Sequence, residues 1–233
     1  MTPNSHPVSV PVQERMHRKN YRYLLQCALE ETMIKTFTMT EPWSSLVASG
    51  AKKQETRTWS PSHTGVIAIH SGQRFTWADE WYCYTPHFEQ ALTAAGYQPD
   101  RSQKKRKERW SFPYGQVIAV AWLSDAYRLA PLVFPNDLPG EPERSFGKYA
   151  EGRHVWLLPY VYRLKAPIPA KGWQMLWNWT PPESFREEIR GALAIHDEAE
   201  SALSVVPLGN SYSQKDYTEP SRTSASRQLL GRG

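Results

Sequence analysis

An α+β fold with a mainly β core is what this 233-residue sequence predicts, on three observations. Five or six segments have the composition and length of strands. A helical pattern stands between the first two of them, and a second stands before the third. With 40% hydrophobic residues, the chain is long enough for one sizeable domain with extensions at both ends.

Residues 1–14 are polar and proline-bearing, and Tyr21 to Glu31 supports a helical turn or two around Leu24, Leu25 and Ala28, so residues 1–32 read as a flexible or weakly helical leader. Thr36-Phe37-Thr38-Met39 is the first strand candidate. Pro42 to Ser49 places apolar residues at i, i+3 and i+4, with Pro at a first helical position and Gly50 where a C-cap belongs, which predicts a short helix. Gly65 then opens Val66-Ile67-Ala68-Ile69-His70-Ser71, a β-branched apolar run of strand length. Residues 72–84 are dense in aromatics (Phe75, Trp77, Trp81, Tyr82, Tyr84), and Thr85-Pro86 with Phe88, Leu92 and Gly96 marks a capped helix.

Gly115 to Leu123 is a strand candidate running on toward Tyr127 and Leu129, and the prolines at 131, 135, 139 and 142, with Asn136-Asp137 and Gly140, predict a poorly ordered loop. Val155 to Leu158 and Tyr160 to Leu164 read as strands interrupted by Pro159, hence an edge or a bulge. Trp173 to Trp179 reads as a strand with Trp173, Met175, Trp177 and Trp179 on one face. Phe185, Ile189, Ala192 and Leu193 form the stripe of a helix over 183–206, and the Ser-rich, Arg-dotted segment 207–233 is expected to be disordered. The folded domain is then 33–182.

No window approaches 18 consecutive apolar residues and the N-terminus has no charged-then-apolar signal pattern, so a soluble, cytoplasmic protein without a membrane partner is expected. Cys27 and Cys83 lack the spacing of a zinc site or a disulfide framework, and they are expected to be reduced thiols; no metal and no cofactor is predicted. Of the net charge of +5, residues 1–32 hold +1 and residues 207–233 hold +2. The run Arg101, Lys104, Lys105, Arg106, Lys107, Arg109, with Glu108, holds +5 by itself, leaving the rest of the core at −3. Basicity is local, and this run is the candidate for tracking a phosphate backbone; the alternative is a solvated loop.

The chemistry concentrates in Gly50-Ala51-Lys52-Lys53-Gln54-Glu55-Thr56-Arg57, a G-x-K-x-x-E-x-R connector between the first helix and the next strand. In an extended chain Glu55 and Arg57 share a face, while Lys52 precedes Glu55 by a helical turn's spacing, so a bend brings all three together. Lys52 and Arg57 suit charge-assisted hydrogen bonds to phosphate or base edges. Glu55 suits an exocyclic amino group or general-base work. From spacing alone, the simpler reading is an ion pair tying the helix end to the sheet.

This connector, with Thr38-Met39-Thr40-Glu41-Pro42-Trp43 before it and Trp59 and Gly65 to Ser71 after it, resembles the ASCH domain, a family related to the PUA domains of RNA-modifying enzymes. The resemblance runs on through Pro113 to Ala121, Gly152 to Trp156, Pro169 to Gly172 and Leu176-Trp177, covering roughly residues 35–179. It implies a PUA-like pseudobarrel with a few helices, and a cleft onto which Lys52, Glu55, Arg57, Trp59, His70 and Ser71 look. RNA or a nucleotide is the implied ligand, with DNA as a further candidate; protein partners would use the tails. Trp43, Trp59 and Trp77 are candidates for base stacking, with Trp43 the better fit to the core and Trp59 to the cleft.

The resemblance also carries two hydrolytic readings. Some relatives hydrolyse acetylated cytidine with a lysine and a threonine in G-x-K-x-x-T-x-R; Lys52 matches, but Glu55 stands at the hydroxyl position and cannot take its role without a changed mechanism. Ribonuclease activity is the other, with Lys52 or His70 assisting 2′-hydroxyl attack, although a lone histidine ending an apolar strand is more often structural. Binding without catalysis is therefore the expected function. A hydrolase using Lys52, Glu55 and His70 is the alternative.

Overall fold

The computed structural model describes residues 12–130 and 138–204. The start of the leader, the loop residues Pro131, Pro135, Asn136 and Asp137, and the tail expected to be disordered over 207–233 lie outside the described residues. The fold is α+β. In chain order its elements are α1 (Val12–Glu30), β1 (Ile34–Met39), α2 (Trp43–Ala48), β2 (Gln54–Arg57), β3 (Gly65–Ser71), α3 (Trp77–Cys83), α4 (Pro86–Ala94) and α5 (Arg106–Trp110). There follow β4 (Gln116–Leu123), β5 (Asp125–Arg128), a 3-10 turn (Glu143–Phe146), β6 (His154–Leu157), β7 (Tyr160–Pro169), β8 (Leu176–Trp179) and α6 (Glu183–Ser204).

Five strands form a mixed sheet in the order β7-β4-β3-β1-β8, with β1 and β3 parallel and the other pairs antiparallel. β2-β6-β5 form a second, antiparallel sheet. The apolar run of β3 is continuous because both of its faces are covered. Val66 and Ala68 join a core cluster with Leu24, Leu25, Ala28, Phe185 and Ile189 of α1 and α6. Ile67 and Ile69 point the other way, into a cluster with Phe37, Val47, Ala48, Trp156 and Leu158. A third cluster, with Leu46, Phe88, Leu92, Trp110, Phe112 and Phe146, binds α2, α4, α5 and the 3-10 turn together.

The structure departs from expectation at several elements. Of the leader, residues 12–30 form one helix, α1, with Leu24, Leu25 and Ala28 completely buried, and Arg22 and Asp197 tie it to α6 at 2.7 Å. Packing of its apolar stripe supplies what weak propensity does not. Pro159 marks the crossing from β6 in the small sheet to β7 at the edge of the large one. The chain makes a comparable crossing at Ser124, so the strand expected to run on from Leu123 is split between sheets. Last, β8 begins only at Leu176: Met175 has φ +58, outside the strand region, and Trp173 and Met175 are exposed on the loop before it.

Helices α3 and α5 arise where the sequence reading assigned no element. Thr76 and Asp79 form a reciprocal capping box at the start of α3. Among the described residues, no helix is long and apolar enough to cross a membrane.

Candidate functional site

Helix α2 ends on Gly50, whose φ of +76 turns the chain while its amide bonds the Val47 carbonyl at 2.9 Å. The side chain two residues on points inward. Lys52 is 0% exposed; its Nζ donates to the Gln54 carbonyl and lies 3.5 Å from Glu55 Oε2 and 3.9 Å from Glu143 Oε1. Glu143, from the distant 3-10 turn, also accepts the backbone N–H groups of Lys53 (2.7 Å) and Gln54 (3.0 Å). A buried ammonium is tolerable only when paired and hydrogen-bonded, and this bend supplies both conditions. Lys52 is the internal counter-charge of the motif.

Beyond the bend, strand alternation puts Glu55 and Arg57 on one side of β2, with Arg57 Nε 2.9 Å from Glu55 Oε1. Arg57 also donates through Nη2 to the Thr38 carbonyl at 3.2 Å and lies over the Phe37 ring, 5.5 Å from its centroid. The guanidinium is thus held from three sides. Between these two residues, Thr56 accepts the Lys148 backbone N–H on its hydroxyl (3.1 Å) and the Arg153 guanidinium on its carbonyl (2.7 Å).

These side chains floor a cleft of about 430 Å³, within the usual range for small-ligand sites. Thr38 to Thr40 and Trp43 form one wall, Asp79 and Tyr82 of α3 another, and Ser145 to Lys148 with Arg153 the third. Trp43 and Tyr82 meet edge to face at 5.2 Å, giving an aromatic surface. Of the two carboxylates in the lining, Glu55 faces Arg57 and Asp79 is taken by its cap to Thr76, at 2.7 Å from both the amide and the hydroxyl. Lys148 is exposed, and its side chain is a cation available to a ligand. The cleft can therefore hold an anion beside a flat ring.

Its lining contains no histidine and no cysteine, and the hydroxyl at its floor, on Thr56, is already engaged. Ser145 donates to Glu141 at 2.6 Å, but Glu141 also takes the Ser145 backbone N–H at 3.1 Å, a local cap of the 3-10 turn. No oriented nucleophile–base–orienter series is assembled here. A slightly larger cavity, about 490 Å³, lies against Gly50, Lys53 and Arg163; Arg163 is committed there to the Ala95 carbonyl and the Tyr97 hydroxyl, each at 3.0 Å.

The residues singled out from the sequence separate into groups. Glu55 and Arg57 line the cleft, as does Trp43, which was assigned to the core. Trp59 lies next door, in a smaller cavity of about 350 Å³ that shares Thr38 and Arg57 with the cleft. Lys52 is sealed beneath. His70 and Ser71 are buried and outside the lining: β3 is covered on both faces, so its last residues have no cleft to look into. Ser71 donates to the buried carboxylate of Glu41 at 2.7 Å. His70 Nε2 is 3.0 Å from the Ala170 carbonyl, so that nitrogen carries the proton, and burial pushes the imidazole pKa down. Trp77 is exposed on α3, outside the lining.

The basic run is also less free than its letters imply. Arg106 and Arg109 both grip Glu80 of α3, at 2.7 and 2.5 Å; Lys105 pairs with Glu108 at 3.0 Å, and Lys107 lies 5.0 Å over the Tyr114 ring. Arg101 and Lys104 are exposed. Among the site residues that the sequence reading did not single out are Glu143, Lys148, Arg153 and Tyr82. Arg153 and Tyr82 carried a signal, one beside Gly152 in a short motif block and the other in the aromatic-dense segment. Glu143 and Lys148 carried none. Among the described residues, no cluster of His, Cys, Asp and Glu is arranged to hold a metal ion.

Comparison with protein-family models gives no match, and comparison with curated proteins gives none either.

Proposed function

We propose that this chain is an ASCH-type, PUA-like pseudobarrel domain whose cleft binds RNA, or another single-stranded nucleic acid or nucleotide, without catalysis. The fold supports this through two sheets joined by crossings at Ser124 and Pro159, with the G-x-K-x-x-E-x-R bend between them. The observation that carries the reading is the pairing of Arg57, oriented by Thr38, Glu55 and Phe37, with the aromatic wall of Trp43 and Tyr82 across one cleft. A guanidinium fixed in direction recognises a phosphate or a base edge. An aromatic face holds an unpaired base with little regard to its sequence.

The test is filter binding of a labelled single-stranded oligoribonucleotide, and of the same sequence as DNA, at about 50 and 200 mM salt. The Arg57→Gln variant should bind about tenfold or more weakly than wild type while still unfolding cooperatively, with a melting temperature lowered by the loss of its contacts to Glu55 and Thr38. Equal affinity of the two proteins, or no binding by wild type at the lower salt, overturns the proposal. Cleavage of the RNA, or deacetylation of added acetylcytidine, with turnover lost in Glu55→Gln, would transfer the reading to a hydrolase.

A further inference from the structure

We infer that the site takes two successive nucleotides of a single strand, the second base entering the smaller cavity on the far side of Arg57. This rests on the reading of the main cleft as a nucleic-acid site and specifies its ligand. The two cavities, about 430 and 350 Å³, meet at Thr38 and Arg57. Phe37, Trp59, Trp173, Gln174 and Met175 complete the smaller one, and Arg57 is its only charged lining residue. Its chemistry suits a heterocycle and no second phosphate. Arg57, between two aromatic-walled spaces, is where the phosphate joining two nucleosides would lie.

Trp173 is the decisive residue. The residue is 57% exposed, a large apolar surface left to solvent on a loop held at Ala170 and Gly172. The ammonium of Lys171 sits 4.7 Å from its centroid, placing a cation beside the stack. Trp59, on the other side of the cavity, is braced edge to face on Trp156 at 4.6 Å.

The loop bearing Trp173 is anchored by His70, which gives that buried residue a positioning role. His70 bonds the Ala170 carbonyl, and its ring lies so close to Gly172 that a Cβ there would stand 2.4 Å from Cε1 and 2.9 Å from Thr38 Oγ1. Only glycine permits this approach. Trp177 Nε1, on β8 just after the loop, donates to the same Thr38 hydroxyl at 3.3 Å, so β1, which carries the Arg57 acceptor, is tied to the strand into which the Trp173 loop runs.

Isothermal titration calorimetry of the full chain with adenosine 5′-monophosphate and with the dinucleotide ApA tests this. Wild type should bind ApA about tenfold or more tightly than the mononucleotide, the gain of one stacked base. Trp173→Ala, a change at an exposed side chain, should reduce ApA binding to the mononucleotide level and leave the mononucleotide unchanged. Gly172→Ala, whose Cβ would press on His70 and on the Thr38 that also orients Arg57, should weaken ApA binding with a smaller loss for the mononucleotide. Equal affinity of wild type for the two ligands, or undiminished ApA binding by Trp173→Ala, overturns the second subsite. In either of those cases, a mononucleotide response that is lost in Arg57→Gln leaves the main cleft standing; wild type binding neither ligand removes both.

Discussion

The bend at 52–57 and the run at 101–109 are both charged segments that the sequence offers to a polyanion, and the fold treats them in opposite ways. At the bend, one cation is fully buried so that another can be presented: Lys52 balances Glu55 and Glu143 from below, and Glu55 in turn orients Arg57 at the cleft. In the run, the net charge is much larger, yet Arg106 and Arg109 close on Glu80 and thereby staple α5 to α3. Charge density locates the run. Directed charge, with aromatic walls around it, marks the proposed site.

The largest effect should come from breaking the buried half of the bend. Lys52→Met keeps most of the side-chain volume but removes the positive charge from between Glu55 and Glu143, leaving two carboxylates that are each mostly buried. Removing one partner of a buried ion pair typically costs about 3–5 kcal/mol. Urea unfolding should show a loss of this size. A loss below about 1 kcal/mol would mean that the ammonium contributes nothing to holding the bend.

An intermediate effect should come from Glu80→Gln, which separates the two roles the run could have. If Arg106 and Arg109 act as a staple, the variant loses two charge-assisted bonds and its melting temperature falls by roughly 3–6 °C. The variant also gains one unit of positive charge beside Lys104 and Lys105. Should RNA run along this surface, filter binding will strengthen despite the lower melting temperature. An unchanged melting temperature would sink the staple.

How far the site could be read in advance depends on the range of the interactions that make it. The α2 end at Gly50, the strand begun by Gly65 and the shared face of Glu55 and Arg57 are local, set by glycine conformation and strand alternation, and each stands in the structure as the letters suggested. What decides that Lys52 is buried while Arg57 is presented is Glu143, far along the chain and beyond any periodicity argument. The Trp173 to Trp179 segment shows the converse error: its alternation fits a strand throughout, but Met175 in the left-handed region ends the pattern and turns Trp173 out onto a loop. For α3 a signal was present in Thr76-x-x-Asp79, a capping box that the reading of an aromatic-dense segment did not use. The resemblance drew His70 and Ser71 toward the cleft, whereas the cover on both faces of β3 keeps them inside.

The smallest effect should come from the exposed end of the run. Arg101, Lys104 and Lys105 face solvent, and changing all three to Gln disturbs one surface pair, Lys105 with Glu108, at side-chain exposures of 80% and 50%. Surface pairs of this kind contribute little to stability, so the melting temperature should stay where it is. The consequence for RNA is set by counterion release: each cation that neutralises a phosphate contributes about −0.7 to the slope of log affinity against log salt for a single strand. If all three charges track the backbone, the slope becomes shallower by about 2, with affinity at 50 mM salt reduced and the Arg57-dependent part of binding intact. If none does, wild type and variant give parallel lines, and the run belongs entirely to the architecture of α3 and α5. A slope change together with loss of the Arg57 effect would break the comparison itself, because charge in the run would then be setting the geometry of the cleft.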